Sequence, residues 1–171
     1  MNKNAIKPVT LILVGNVLTI FNSIGNGWAT SVVAIIGFVL FFIGLGQFKN
    51  ELDEAGKSAV KLLVVATIIG IVGLLIDFIP LVGIVASLVY LAAYIVELVA
   101  FIKLKGSDSI GETGAKGAQL LLIAMIITLV GVLFGILPLV GGIITKLVSI
   151  AAFLLVLFGW LKVQDGVIEK V

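Results

Sequence analysis

The chain has 171 residues, of which 61% are apolar and only 12% are charged. A soluble domain is about half apolar and about a quarter charged, whereas a disordered chain is rich in charge and poor in aliphatic residues. The composition excludes both classes, so it predicts an integral membrane protein.

Several kinds of chemistry are excluded by missing residue types. The sequence contains no Cys, no His and no Arg, and all 11 basic residues are Lys. Thiol nucleophiles, Ser-His-Asp triads, zinc sites built from imidazole or thiolate, and bidentate phosphate clamps are therefore excluded. A net charge of +2 without a basic stripe does not suggest a nucleic-acid partner. We expect no enzyme activity, no catalytic residue, no metal site and no cofactor.

Charged residues divide the chain into three long apolar blocks, at residues 8–48, 62–102 and 117–161. One transmembrane helix needs about 20 apolar residues, so each block holds two spans. A turn signal lies near the middle of each block, at residues 22–27, at Pro80 and at Pro138. The pattern predicts an all-α membrane protein with six transmembrane helices, near residues 9–24, 29–48, 60–78, 81–103, 117–136 and 142–162.

The first span also has features of a cleaved signal peptide. Lys3 and Lys7 precede its apolar run, and residues 29–31 resemble a cleavage site. However, the first block pairs two spans as the later blocks do. We therefore expect a retained transmembrane helix.

The second and third blocks match each other at an offset of 58 residues. Glu54 matches Glu112, Gly73 matches Gly131, and the segment 80–83 matches 138–141. The first block fits this pattern loosely. The matches predict a single helical-bundle domain over residues 1–171, built of three parallel hairpin repeats at residues 8–48, 54–105 and 112–163.

Two resemblances accompany this pattern. Mitochondrial carriers share a plan of three hairpins, but their proline-acid-basic signature has no counterpart here, so the likeness is one of architecture only. In composition the chain also looks like small prokaryotic membrane proteins with Gly-rich hairpins. That second resemblance implies a prokaryotic plasma membrane and supplies no function.

The lysines predict the orientation. Every lysine except Lys146 lies in the tails or in the charged segments 49–61 and 103–116. The positive-inside rule places that side, and with it both termini, in the cytoplasm. Within the two segments, Glu54 and Glu112 suit the first turn of a helix, where negative charge is favourable. The alternative is a docking surface for a cytoplasmic partner.

A polar stripe occurs in the fourth predicted helix. Spacings of 3, 4 and 3 place its members on one helical face, and they are Ser87, Tyr90, Tyr94 and Glu97. Such a stripe could line a path for protons or cations, with Glu97 carrying the exchangeable charge. The alternative is a buried polar network, with Glu97 paired to Lys57 or Lys61.

Two further charges lie inside predicted spans. Asp77 and Lys146 are at similar depths near the end opposite the lysine-rich side, so they form a candidate intramembrane ion pair. The alternative is that Lys146 extends outward and Asp77 caps a helix.

Small and amide side chains predict close helix packing. Asn16 and Asn22 are expected to form hydrogen bonds across the bundle, while glycines allow helices to approach closely. The glycines concerned are Gly44, Gly46, Gly70, Gly73, Gly131 and Gly135.

Two functional hypotheses remain from the sequence. The leading one is a structural or interaction protein of the plasma membrane, whose partners are the lipid bilayer and either a second copy or another membrane protein. The alternative is a small ion or solute transporter or channel that uses Glu97. A hydrated cavity reaching Glu97 favours transport, whereas burial of the stripe among helices favours packing.

Overall fold

The computed structural model describes the backbone of residues 6–24, 28–77, 79, 83–135 and 141–170. Side chains are described at the same positions, with the exception of 21–24, 28–29, 31, 77, 83–84, 132–135 and 141–146.

The described part of the chain folds into six α-helices and contains no strand. The helices are α1 (Ile6–Ile24), α2 (Trp28–Phe48), α3 (Glu54–Asp77), α4 (Gly83–Lys105), α5 (Gly111–Gly135) and α6 (Gly141–Glu169). Single 3₁₀ turns, Lys49–Glu51 and Asp108–Ile110, lie in the α2–α3 and α4–α5 linkers. The prediction of an all-α protein is confirmed.

Five of the helices, α2 to α6, are long and apolar enough to cross a membrane, while the apolar stretch found in α1 is the shorter segment Ile6–Ile20. Only 22% to 39% of the residues in each of the five long spans are buried inside the bundle. The exposed residues include many large aliphatic side chains. A continuous apolar surface of this extent suits contact with lipid rather than with water.

Three helix boundaries differ from the sequence prediction by six residues or more. The helices α3 and α5 begin at Glu54 and Gly111, and α6 continues to Glu169, so each helix extends beyond its apolar run. Hydropathy marks where side chains meet lipid, whereas backbone hydrogen bonding continues through the polar residues beyond. Asp53 accounts for the early start of α3, because its carboxylate accepts a hydrogen bond of 2.7 Å from the Gly56 N–H, as an N-cap residue does.

The six helices form a ring. Each helix packs against the next one in the chain, and α6 returns to pack against α1. Packing is most extensive within the pairs α1–α2, α3–α4 and α5–α6, and it is least extensive between α2 and α3 and between α6 and α1. Both charged linkers and the end of α6 lie at the same end of the ring, which we call the charged end.

Glycines allow the closest helix contacts. A Cβ placed on Gly117 of α5 would lie 2.5 Å from the Gly159 carbonyl oxygen of α6, and a Cβ placed on Gly15 of α1 would lie 2.6 Å from the Gly37 carbonyl oxygen of α2. None of these four glycines is among the predicted packing glycines. Backbones therefore touch directly at both crossings, as small residues permit in membrane helices.

The predicted packing glycines divide into two groups. Gly44 contacts α1, Gly73 contacts the Tyr90 ring, and Gly131 contacts Val148. Tyr90 and Val148 are themselves 58 residues apart, so the last two contacts are equivalent at the offset seen in the sequence. Gly46 and Gly70 do not match the prediction, because a Cβ on either would meet nothing within 4 Å. Gly135 lies outside the described side chains.

Candidate functional site

A cavity of about 360 Å³ lies inside the ring, and all six helices contribute to its wall. Seven of its thirteen lining residues have wholly apolar, aliphatic or aromatic side chains, including Phe38 and Phe153, as is usual for small-molecule sites. The polar part of the wall comes from four different helices, and its side chains are Asn16, Thr19, Tyr90, Tyr94, Thr128 and Ser149.

A second cavity of about 240 Å³ adjoins the first one and reaches Glu97. The two cavities share five lining residues, among them Asn16, Tyr90 and Tyr94. Glu97 lies eight residues before the end of α4, which corresponds to about 12 Å of helix. Together the two cavities form a space with a partly polar wall that includes Glu97.

The threonine hydroxyls in the cavity walls all donate to the backbone of their own helix. Thr19 Oγ1 donates to the Asn16 carbonyl oxygen at 2.9 Å, and Thr128 Oγ1 donates to the Ala124 carbonyl oxygen at 2.9 Å. Thr67, which lines the second cavity, donates in the same way to the Leu63 carbonyl oxygen at 2.8 Å. Because each hydroxyl hydrogen is engaged by the helix backbone, these groups offer the cavity only oxygen lone pairs.

Asn16 behaves differently from the sequence expectation. Its Nδ2 donates to the Ile12 carbonyl oxygen at 3.0 Å, within α1, and the residue lines both cavities. A polar side chain that satisfies its own helix need not bond across the bundle. The side chain of Asn22 lies outside the described residues.

The predicted stripe is divided by the structure. Tyr90, Tyr94 and Glu97 line the cavity that reaches Glu97, whereas Ser87 is exposed and lies outside the linings of both cavities. The alternative pairing of Glu97 with Lys57 is not formed, because Lys57 Nζ instead lies 2.9 Å from Glu54 Oε1. The candidate pair Asp77–Lys146 falls on side chains outside the described set.

An aromatic cluster lies between the cavities and the charged end. Trp160 of α6 is 1% exposed and makes edge-to-face contacts with Phe41, Phe48 and Phe101, at centroid distances of 6.4, 5.9 and 6.2 Å. The cluster joins α2, α4 and α6, and Phe41 also lines the smaller cavity. It therefore connects three helices next to the smaller cavity. The sequence prediction did not identify this cluster, although a Trp inside an apolar helix was the available signal.

The charged end is held together by Asp53. Its Oδ1 accepts hydrogen bonds of 2.7 Å from the Gly56 N–H and from Ser107 Oγ, and its Oδ2 accepts one of 2.7 Å from the Asp108 N–H and one of 3.3 Å from the Ser109 N–H. Partial burial raises the pKa of Asp53, but these hydrogen bonds to the ionised form lower it by more, so its pKa lies below the usual value. One carboxylate thus connects the α2–α3 and α4–α5 linkers.

The acids that were expected in first turns are found there. Glu54 lies in the first turn of α3 and Glu112 in the first turn of α5. Hydrogen bonding to Lys57 and to Lys116, respectively, lowers the pKa of each acid. At Gly111, which opens α5, φ is +59°, a conformation that glycine adopts without strain.

The residues described here contain no group of three or more acidic side chains that could hold a metal ion. The site consists of one acid, several oxygen acceptors and aromatic walls.

No protein-family model matches the sequence, and neither a curated protein nor a solved structure matches it.

Proposed function

We propose that the protein crosses the membrane six times as three parallel hairpins, with both termini in the cytoplasm of a prokaryotic cell. The helix pairs with the most extensive packing coincide with the three hairpins, and the equivalent contacts of Gly73 and Gly131 support the repeat. The lysines at the charged end support the orientation, because positively charged loops are retained on the cytoplasmic side.

We propose further that this protein is a small transporter or channel for a small cation, with Glu97 as the charged group that holds the cation in transit. The observation that carries this proposal is the space inside the ring, whose partly polar wall includes Glu97. The hydroxyls of Thr19, Thr67 and Thr128 turn lone pairs toward it. Neither cavity has a lysine in its lining, so the described wall favours positive charge.

A purely structural role has less support. That hypothesis expects the polar stripe to be buried among neighbouring helices, whereas three of its four residues line a cavity. An enzymatic role is also disfavoured, because acid–base chemistry needs a second titratable group in reach of the first, and Glu97 is the only acid in either lining.

The test is cation flux into proteoliposomes. Purified protein is reconstituted, and uptake of H⁺, Na⁺ and K⁺ is followed with fluorescent indicators for the wild type and for Glu97→Gln. A hydrogen bond to a charged group contributes about 1.5–3 kcal/mol, so loss of the Glu97 charge should reduce cation binding by roughly 10- to 100-fold and should lower flux accordingly.

Two further variants make the result specific. Glu112→Gln removes a charge from the exposed start of α5, and flux should be unchanged. Gly70→Leu keeps Glu97 but adds a side chain into open space in the smaller cavity, and flux should fall. Flux that is absent from the wild type, or unchanged in Glu97→Gln, rejects the proposal.

A further inference from the structure

A groove of about 450 Å³ lies between α2 and α3 at the charged end, outside the central cavity. Phe42 and Val65 form its exposed walls, and the buried Val60 also lines it. It follows the α2–α3 interface, which with the α6–α1 interface is the least extensive between neighbouring helices of the ring. Gly46 also lines the groove, and a Cβ there would meet nothing within 4 Å. The groove is therefore open space along the side of the bundle, of a size typical of ligand sites.

The mouth of the groove is basic. Lys49 and Lys61 line it together with the exposed Asn50. The direct ion pairs among the described residues involve Lys57 and Lys116, while Lys49 and Lys61 interact with Glu54 only through longer-range electrostatic attraction. Lys49 opens the 3₁₀ turn directly after α2, seven residues beyond Phe42, or about 10 Å away by helical rise. The groove thus has positive charge at its mouth and apolar walls farther along the helices.

We propose that this groove binds one anionic phospholipid, with the phosphate between Lys49 and Lys61 and an acyl chain along Phe42 and Val65. Basic pockets between transmembrane helices are suited to anionic headgroups, and the apolar walls continue into the depth occupied by acyl chains. The corresponding joint between α4 and α5 carries Ser107 and Gln119 at the 58-residue offset, so the basic pair is specific to this groove. The assignment does not depend on transport.

The test measures lipid retention by native mass spectrometry of the detergent-solubilised protein. Phosphatidylglycerol, phosphatidylcholine and glycerol 3-phosphate are titrated separately. Each lysine near a membrane surface contributes roughly a fivefold gain in affinity for an anionic lipid, so the double variant Lys49→Gln/Lys61→Gln should bind phosphatidylglycerol about 30-fold more weakly. Phosphatidylcholine and glycerol 3-phosphate should bind the wild type weakly, since the first lacks net charge and the second lacks acyl chains.

Two control variants separate the groove from general electrostatics. Lys105→Gln/Lys162→Gln removes two exposed lysines at the same end of the bundle, and phosphatidylglycerol binding should be retained. Gly46→Leu keeps both lysines and fills the groove, so this variant should lose phosphatidylglycerol binding. It gives an independent test if the double lysine variant does not fold. Equal affinity for the two lipids, equal affinity for glycerol 3-phosphate, or the same loss in both lysine pairs would overturn the assignment. Undiminished binding to Gly46→Leu would overturn it as well.

Discussion

Replacement of Gly117 by Ala tests the direct backbone contact between α5 and α6. The new Cβ would lie 2.5 Å from the Gly159 carbonyl oxygen and 2.7 Å from the Val163 backbone nitrogen. A carbon–oxygen contact normally measures about 3.3–3.6 Å, so the two helices would have to separate by about 0.8–1.1 Å. Overpacking typically costs about 1–3 kcal/mol. We expect about 2–3 kcal/mol here, because a backbone atom cannot rotate away as a side chain can.

The same substitution at Gly46 is the matched control. Its Cβ would meet nothing within 4 Å, so only the helix propensity changes, by about 0.5–1 kcal/mol in favour of Ala. Unfolding in mixed micelles by titration with dodecyl sulfate, followed by far-ultraviolet circular dichroism, gives the free energy of unfolding of both variants. If Gly117→Ala proved as stable as Gly46→Ala, the inference that the α5 and α6 backbones touch directly at Gly117 would be wrong.

Two further predictions concern the aromatic cluster around Trp160 and the hydrogen bonds of Asp53 at the charged end. Trp160→Ala removes the ring that contacts Phe41, Phe48 and Phe101, and we expect the free energy of unfolding to fall by about 3–5 kcal/mol in the same titration. A loss below about 1 kcal/mol would show that the cluster is not a core. Because the pKa of Asp53 is lowered in the folded protein, its contribution to stability is present above the usual value of 3.8 and is lost as the pH falls below that value. Thermal unfolding between pH 2 and pH 6 should therefore depend less on pH in Asp53→Asn, and equal acid sensitivity of the two proteins would contradict the Asp53 network.

The fold could be predicted from the sequence as far as apolar run length determines it. Blocks of about 41 to 45 residues exceed one span and fall short of three, so six helices follow. Their ends could not be read from hydropathy. The segment 54–61 carries three charged side chains, yet it belongs to α3 because Asp53 caps that helix and Glu54 pairs with Lys57. Such local hydrogen bonds leave no trace in an apolar pattern.

The site could be predicted only on α4. A spacing of 3, 4 and 3 identifies a shared helical face, but it does not say which edge of that face turns inward, and Ser87 lies on the exposed edge. Asn16, Thr128 and Ser149 are isolated polar residues on three other helices, and only closure of the ring brings them to one cavity. In the same way, nothing in the sequence distinguishes Gly46, which faces open space, from Gly117, which touches a neighbouring backbone.

Because neighbours in the ring are mostly neighbours in the sequence, the arrangement determines the order in which the helices can pack. Each helix finds its main partner in the helix made just before or just after it, so pairs can dock while later segments are still being synthesised. The contact of α6 with α1 is the exception, because it joins the two of these six helices that are farthest apart in the sequence. Until α6 is inserted, the other helices form an open arc that lacks Ser149 and Phe153 from the cavity wall. The interior that surrounds Glu97 is thus enclosed only when α6 is in place.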